Sequence, residues 1–178
     1  MNVFLTSDTH FGHANIIKYC HRPFSSVEEM DETLVERWNA IVRPQDHVYH
    51  LGDVAMQPKA LQIVKRLNGH KRLVLGNHDG WDMRAYAEVG FKKVFGSRRM
   101  DGLLLTHIPL HQGSVWDAAE RRDSKVLGNV HGHIHDRDSP MGPYLNVCVE
   151  KMDYTPVEFG QVRDAMLKRL ELLELVAK

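Results

Sequence analysis

The chain has 178 residues, with 23 Lys+Arg against 23 Asp+Glu and a formal charge of zero, so residues 1–178 read as one domain able to bury its own core. A content of 43% hydrophobic and 26% charged residues excludes a disordered chain, and the charge balance removes the overall basic field of a general nucleic-acid binder while leaving room for a local patch. Two cysteines, Cys20 and Cys148, exclude a disulfide scaffold and point to a reducing, cytoplasmic compartment; Met1 to Asp8 does not follow the signal-peptide pattern, and no apolar run approaches the ~20 residues of a membrane span.

No repeat, low-complexity tract or Pro/Gly/Ser linker interrupts the chain. Asn2 to Thr6 reads as a buried strand that stops at Ser7-Asp8-Thr9-His10. Ser26 to Val42 reads as a helix: Ser26 and Glu29 fit a capping box, and Val27, Met30, Leu34, Trp38 and Ile41 recur every three or four residues. Pro44 lies just beyond its end. His47 to Leu51 is the next strand, ending in Gly52-Asp53. Pro58 to Leu67 is a helix with Pro in its first turn and Gly69 after it. Leu73 to Leu75 is a strand ending in Gly76-Asn77-His78-Asp79, and Trp81 to Val89 a helix. Phe91 to Phe95 and Leu103 to Thr106 are strands, the second stopping at His107. Lys125 to Val130 leads into His131-Gly132-His133-Ile134-His135, Leu145 to Glu150 is a last strand, and Gly160 to Leu175 a long amphipathic helix. On that helix Val162, Met166, Leu170 and Leu173 read as core packing.

Strand, polar loop and helix thus alternate, which predicts an α/β protein with a largely parallel or mixed sheet. In such folds sites gather at the carboxyl ends of strands. Twelve histidines are present, and they cluster there. Five clusters follow strands: Asp8-Thr9-His10, Gly52-Asp53, Gly76-Asn77-His78-Asp79, Thr106-His107 and Gly132-His133-Ile134-His135. They combine carboxylates, one amide oxygen and imidazoles, with no thiolate. That set excludes a structural Cys-type zinc site and suits Mn, Fe, Co, Ni or Zn. Seven ligands exceed the needs of one small ion but match two ions sharing a carboxylate, the clamp used for in-line phosphoryl displacement. Gly52, Gly76 and Gly132 stand before the ligands, where glycine permits turns and close approaches that other residues resist.

The order D-x-H, G-D, G-N-H-D, H, G-H-x-H resembles the signature of the calcineurin-like metallophosphoesterases, spanning residues 8 to 135. The compact size and the stretch from Leu145 to Val157 look like the small bacterial and phage members. The resemblance implies a four-layer α-β-β-α sandwich of the metallo-dependent phosphatase-like kind. It implies that Asp8, His10 and His135 hold one metal, that Asn77, His107 and His133 hold a second, and that Asp53 bridges them. It further implies a hydroxide between the metals as nucleophile, with His78 as the general acid that protonates the leaving oxygen. Asp79 would support that loop. One departure stands out. Many members carry a second aspartate soon after G-D that pairs with the catalytic histidine, whereas here the chain runs Gly52-Asp53-Val54-Ala55-Met56-Gln57. Either His78 acts without that partner or another acid takes its place.

Other polar residues near the clusters have two readings each. His13 either touches substrate phosphate or caps the following helix. Arg22 either grips phosphate bidentately or belongs to a solvated loop. His50 and His131 read as supporting residues, His111 as a residue near the pocket, and His47 and His70 as surface. The basic pairs, such as Lys65-Arg66 and Arg98-Arg99, read as solvated surface.

The function expected is therefore a hydrolase: a dinuclear metal-dependent phosphoesterase, manganese being one suitable ion. Its substrate would be a phosphodiester or phosphomonoester, with a lean towards a diester or small nucleotide because no cap insertion is visible. The alternatives are a nuclease acting on nucleic-acid diesters and a non-catalytic metal-binding scaffold of the same fold. The full ligand set disfavours the scaffold, and the neutral charge disfavours long duplexes.

Overall fold

The computed structural model describes residues 1–115 and 126–176, and the side chains of residues up to 173. Two mixed sheets form its centre. The first has the strand order β4-β3-β2-β1-β9, from β1 (Val3–Thr6), β2 (His47–His50), β3 (His70–Val74), β4 (Phe91–Phe95) and β9 (Val157–Glu158). Its four leading strands are parallel, and β9 pairs antiparallel with β1. The second has the order β5-β6-β7-β8, from β5 (Arg98–Met100), β6 (Leu103–Leu105), β7 (Gly128–His131) and β8 (Tyr144–Asn146); only β5 runs antiparallel.

Alternation along the strands sorts the core into two layers. Phe4, Val48 and Leu73 face the helices, packing with Met30, Leu34 and Trp38 of α2 (Val27–Ile41) and Leu61 of α3 (Pro58–Leu61). Their neighbours Leu5, Tyr49 and Val74 point the other way and meet Leu103, Leu105 and Val130 of the second sheet. α1 (Ala14–Tyr19) and α4 (Met83–Glu88) add Ile16 and Tyr86 to the first layer. α5 (Phe159–Val176) contacts β1, β9 and β8 and sends Phe159, Val162 and Met166 into the second. This is the α/β sandwich with two central sheets that the resemblance implies.

Several elements differ from the sequence expectation. The side chain of Ser26 caps α2 by accepting from Glu29 N–H, but the Glu29 carboxylate reaches back to Ser25 rather than to Ser26. Ile41, on the expected apolar face, is exposed in the last turn. The helix from Pro58 tightens after one turn into a 3₁₀ segment, Gln62–Arg66. β3 begins three residues early, at His70-Lys71-Arg72, because the buried Lys71 stem carries its ammonium out to the Leu67 and Gly69 carbonyls. β5 is too basic and β9 too short to read from periodicity. The last expected strand ends at Asn146 and gives way to a 3₁₀ turn, Val149–Lys151. The expected strand start at Lys125 lies outside the described residues. Among those residues no helix is long and apolar enough to cross a membrane.

Candidate metal centre

Asp8, Asp53, Asn77, His107 and the His133–His135 pair all follow the carboxyl ends of parallel strands, β1, β2, β3, β6 and β7. The backbone turns there in the left-handed region. Asp8, His10, Asp53, His133 and His135 have φ of 61, 50, 56, 71 and 53°. Asp tolerates this conformation better than most residues, but five cases in one place mark a site held by its surroundings. The sharp turn lets residues i and i+2 of Asp8/His10 and His133/His135 serve one centre. It also separates them from His131, which straight alternation would have aligned with them. Both ring nitrogens of His131 are engaged elsewhere, with Gly132 O and Ser139 Oγ.

The glycines permit the approach of the loops. A Cβ on Gly132 would lie 2.0 Å from Ser7 Oγ and 2.3 Å from Asp8 Oδ2. Gly52 combines φ +101° with a Cβ position 2.5 Å from Gly76 N.

Two trios of ligand atoms result, each within 4.8 Å: Asp8, His10 and His135, and Asp53, His107 and His133. Asp53 Oδ2 lies 3.5 Å from His10 Nε2 and 3.3 Å from His107 Nε2, between the trios. Asp8 Oδ1 lies 3.7 Å from His10 Nε2 and 3.9 Å from His135 Nε2. Ligand atoms about 2.0–2.2 Å from one ion stand roughly 3–3.6 Å apart, so these spacings are close to those of a filled centre. Asn77 Oδ1 sits 2.9 Å from His107 Nε2, beside the second trio.

The donor chemistry fits a cation. Asp8 Oδ1 and both His10 nitrogens are buried and have no hydrogen-bond partner, an arrangement that is costly for polar atoms. His107 Nδ1 faces the Leu51 carbonyl at 2.8 Å. A carbonyl only accepts, so Nδ1 carries the proton and the neutral ring turns the Nε2 lone pair towards Asp53 and Asn77 oxygens. Lone pairs facing one another require a positive species between them. In the protein alone, protons play that part. Burial lowers the pKa of His107 and His135, but Asp53 and Asp8 more than offset it for His107. Hydrogen bonds to Cys20 and Glu150, with the Asp8 charge, raise His135 to about 10. Burial pushes Asp8 and Asp53 up, yet the surrounding histidines hold both carboxyls below their ordinary range.

Each remaining candidate has a definite place. Asp79 is buried, and its carboxylate accepts from Asp53 N, Val54 N and Gly76 N, tying the second and third loops together. It is therefore not free to partner His78. His78 is exposed at the rim, its ring centroid 5.6 Å from that of His10, and its N–H donates to Asp53 Oδ1. Among the described residues no carboxylate reaches its ring. His13 precedes α1 without making a side-chain cap. Its ring lies 5.5 Å from His10, with Nδ1 buried and unpartnered. His50 is buried: its Nδ1 accepts from Gly52 N, its Nε2–H donates to Thr9 Oγ1, and Thr9 donates to Val54 O. Burial lowers its pKa to about 3, so it stays neutral.

Arg22 departs from both of its sequence readings. It is neither solvated nor available to a phosphate: its five donors all engage Glu150, Asp8 O, Thr9 O and Met30 Sδ inside the protein. Two supporting residues escaped the sequence reading. Cys148, kept protonated by burial and the Asp8 charge, donates to Asp8 Oδ2 at 3.2 Å. Glu150 Oε1 accepts from His135 Nδ1 at 3.0 Å. Glu150 ends an apolar run as the five clusters do, a signal that could have found it.

Residues 1–148 match the family model of the calcineurin-like phosphoesterase superfamily domain, and the chain belongs to that family. It is 36% identical over 187 residues to an uncharacterized protein of Methanocaldococcus jannaschii, covering 95% of this chain and 91% of that one. It is 32% identical over 171 residues to the gene 66 protein of Mycobacterium phage L5, covering 79% of each. Among solved structures, a protein of unknown function from Aquifex aeolicus shares the fold, with a TM-score of 0.69, 24% identity, and 92% of this chain and 98% of that chain covered.

Proposed function

We propose that the protein is a hydrolase of phosphate esters that works with two divalent cations. The observation that carries this reading is Asp53 Oδ2 lying 3.5 and 3.3 Å from nitrogens of two separate ligand sets. Asp8, His10 and His135 would hold one ion, Asn77, His107 and His133 the other, and Asp53 both. When bound, the pair supplies Lewis acidity towards the phosphoryl oxygens and makes water acidic enough to yield a nucleophile at neutral pH.

The protein's own groups do the rest. Ionised Asp8 and Asp53 balance the cationic charge. The Leu51 carbonyl and Glu150 fix the tautomers of His107 and His135. His78, at the rim and anchored through its backbone to Asp53, is placed to give a proton to the leaving oxygen. Among the described residues no carboxylate stands behind its ring, so His78 would draw its proton from solvent. His13 would meet a phosphate oxygen at the same rim. Arg22 is withdrawn from the substrate role.

A cavity of about 370 Å³ adjoins the second set at Asn77 and His107, with Leu75, Ile108 and Leu110 in its wall and no charged side chain but the histidine. It suits an uncharged organic substituent, which favours a diester or small nucleotide ester over a substrate bearing further phosphates. The test is hydrolysis of a chromogenic phosphodiester and the matching monoester by purified protein with added Mn²⁺. Activity is expected in the wild type and a severe loss of it in Asp53→Asn and His78→Ala; a fully active Asp53→Asn protein would remove the bridging reading.

A further inference from the structure

We infer that Arg22 and Glu150 are a positioning pair that holds Asp8, His10 and His135 in ligating geometry; this rests on the two-cation reading above. Their side chains are 0% and 3% exposed, with Arg22 Nη2 2.7 Å from Glu150 Oε1. A buried ion pair adds little stability over apolar residues of similar volume, because desolvation offsets the attraction. Its use lies in what it touches.

The pair joins three segments distant in sequence. Arg22 Nη2 donates to Asp8 O at 2.7 Å and Nη1 to Thr9 O at 3.0 Å, so the guanidinium clasps two successive carbonyls, that of left-handed Asp8 and that of Thr9. Arg22 Nε and Nη2 both meet Glu150 Oε1, and the same oxygen accepts from His135 Nδ1. Three donors thus converge on one carboxylate oxygen. The turn carrying Glu150 is itself docked on the first loop: Val149 N donates to Ser7 O, and Cys148 bridges to Ser7.

Two consequences follow for the ligands. With its proton committed to Glu150, Nδ1 of His135 leaves the Nε2 lone pair facing Asp8 Oδ1, and the anionic acceptor makes that nitrogen a better donor to a cation. With its carbonyls clasped, the Asp8–Thr9–His10 turn cannot relax to an ordinary extended conformation that would carry Asp8 Oδ1 away. Cys20 Sγ also lies within 4.8 Å of ligand atoms of His135 and Glu150, and the three form a further trio. The Arg22 cation beside that trio makes it a support for His135 and a poor third cation site.

The test is calorimetric titration of metal-free protein with Mn²⁺, paired with Co²⁺ absorption spectra and melting temperatures. The proteins are wild type, Glu150→Leu, Glu150→Gln, Arg22→Met and Asn77→Ala. Wild type is expected to take two equivalents. Glu150→Leu and Arg22→Met should weaken one site by about 10–100-fold and leave the other unchanged. Glu150→Gln keeps an acceptor for His135 and should recover part of the loss. Asn77→Ala should weaken the opposite site, which distinguishes the two. A purely structural role would lower the melting temperature and move neither affinity. If Arg22→Met does not fold, the graded Glu150 pair decides. Folded Glu150 variants with both affinities unchanged overturn this inference alone. A wild-type protein that takes up no metal overturns the proposed function and this inference with it.

Discussion

The two halves of the candidate centre are built differently. The Asp8, His10 and His135 half is the more enclosed: Asp8 is 0% exposed and His10 2%, the His135 side chain is part-open at 19%, and Arg22, Glu150, Cys148 and Asp31 support it from behind. The Asn77, His107 and His133 half has a buried histidine, but Asn77 is exposed and a cavity opens beside it. Enclosure lowers the local dielectric and limits exchange with solvent; openness admits a substrate. On the proposed two-cation reading, the comparison teaches that one half would retain an ion and the other would present one.

In the proposed reading Asp53 serves both halves, so its loss should have the largest effect. Asp53→Asn is expected to lower turnover by more than about 10³-fold, since both Lewis acidity and nucleophile supply go together. Retention of two tightly bound equivalents by that variant would show that the halves do not share a ligand. His78 touches neither ion in this reading. His78→Ala should cost about 10²–10⁴-fold in turnover with metal content unchanged, measured by elemental analysis beside kinetics. A parallel loss of metal would move His78 into the ligand set.

Retention itself can be measured. On dialysis against a weak chelator, one equivalent should leave before the other, and Asn77→Ala should hasten only the first departure. Simultaneous loss would erase the distinction between enclosed and open halves. Gly132→Ala probes how tightly the enclosed half is packed. The added methyl has no room beside Ser7 Oγ and Asp8 Oδ2, and overpacking of this kind costs about 1–3 kcal/mol. For a domain of this size that lowers the melting temperature by roughly 2–4 °C per kcal/mol. An unchanged melting temperature would mean the loops yield freely.

The smallest effect concerns Asp31, whose two oxygens accept from Gly12 N behind the enclosed half. Burial raises its pKa from 3.8 to about 6, against the pull of that hydrogen bond. The folded protein therefore holds the proton more tightly than the unfolded chain. The resulting cost to stability is absent below 3.8, grows as pH rises through the interval to 6, and is complete above it. Asp31→Asn should raise the melting temperature modestly near neutral pH and match wild type in acid. A benefit that persists at low pH would assign the effect to something other than charge.

Local patterns carried the order of elements and the place of the site. A buried strand in an α/β protein has a continuous apolar run, and a ligand cluster at its end interrupts that run visibly, as at Thr6-Ser7-Asp8 and Leu51-Gly52-Asp53. Periodicity also found α2, because one apolar face must repeat every three to four residues. What alternation in a strand cannot report is direction after the strand stops. His131, His133 and His135 look equivalent in sequence, and left-handed turns at the last two set these candidate ligands apart from His131. Nor can local patterns report partners drawn from far away. Arg22 and Glu150 are 128 positions apart, and their meeting depends on the last 3₁₀ turn docking against the first loop. The candidate ligands thus stood in short words at strand ends, where a polar cluster breaks an apolar run. The pairing of those side chains, and the buried charges that aim them, came from packing two sheets together, which no window of neighbouring residues contains.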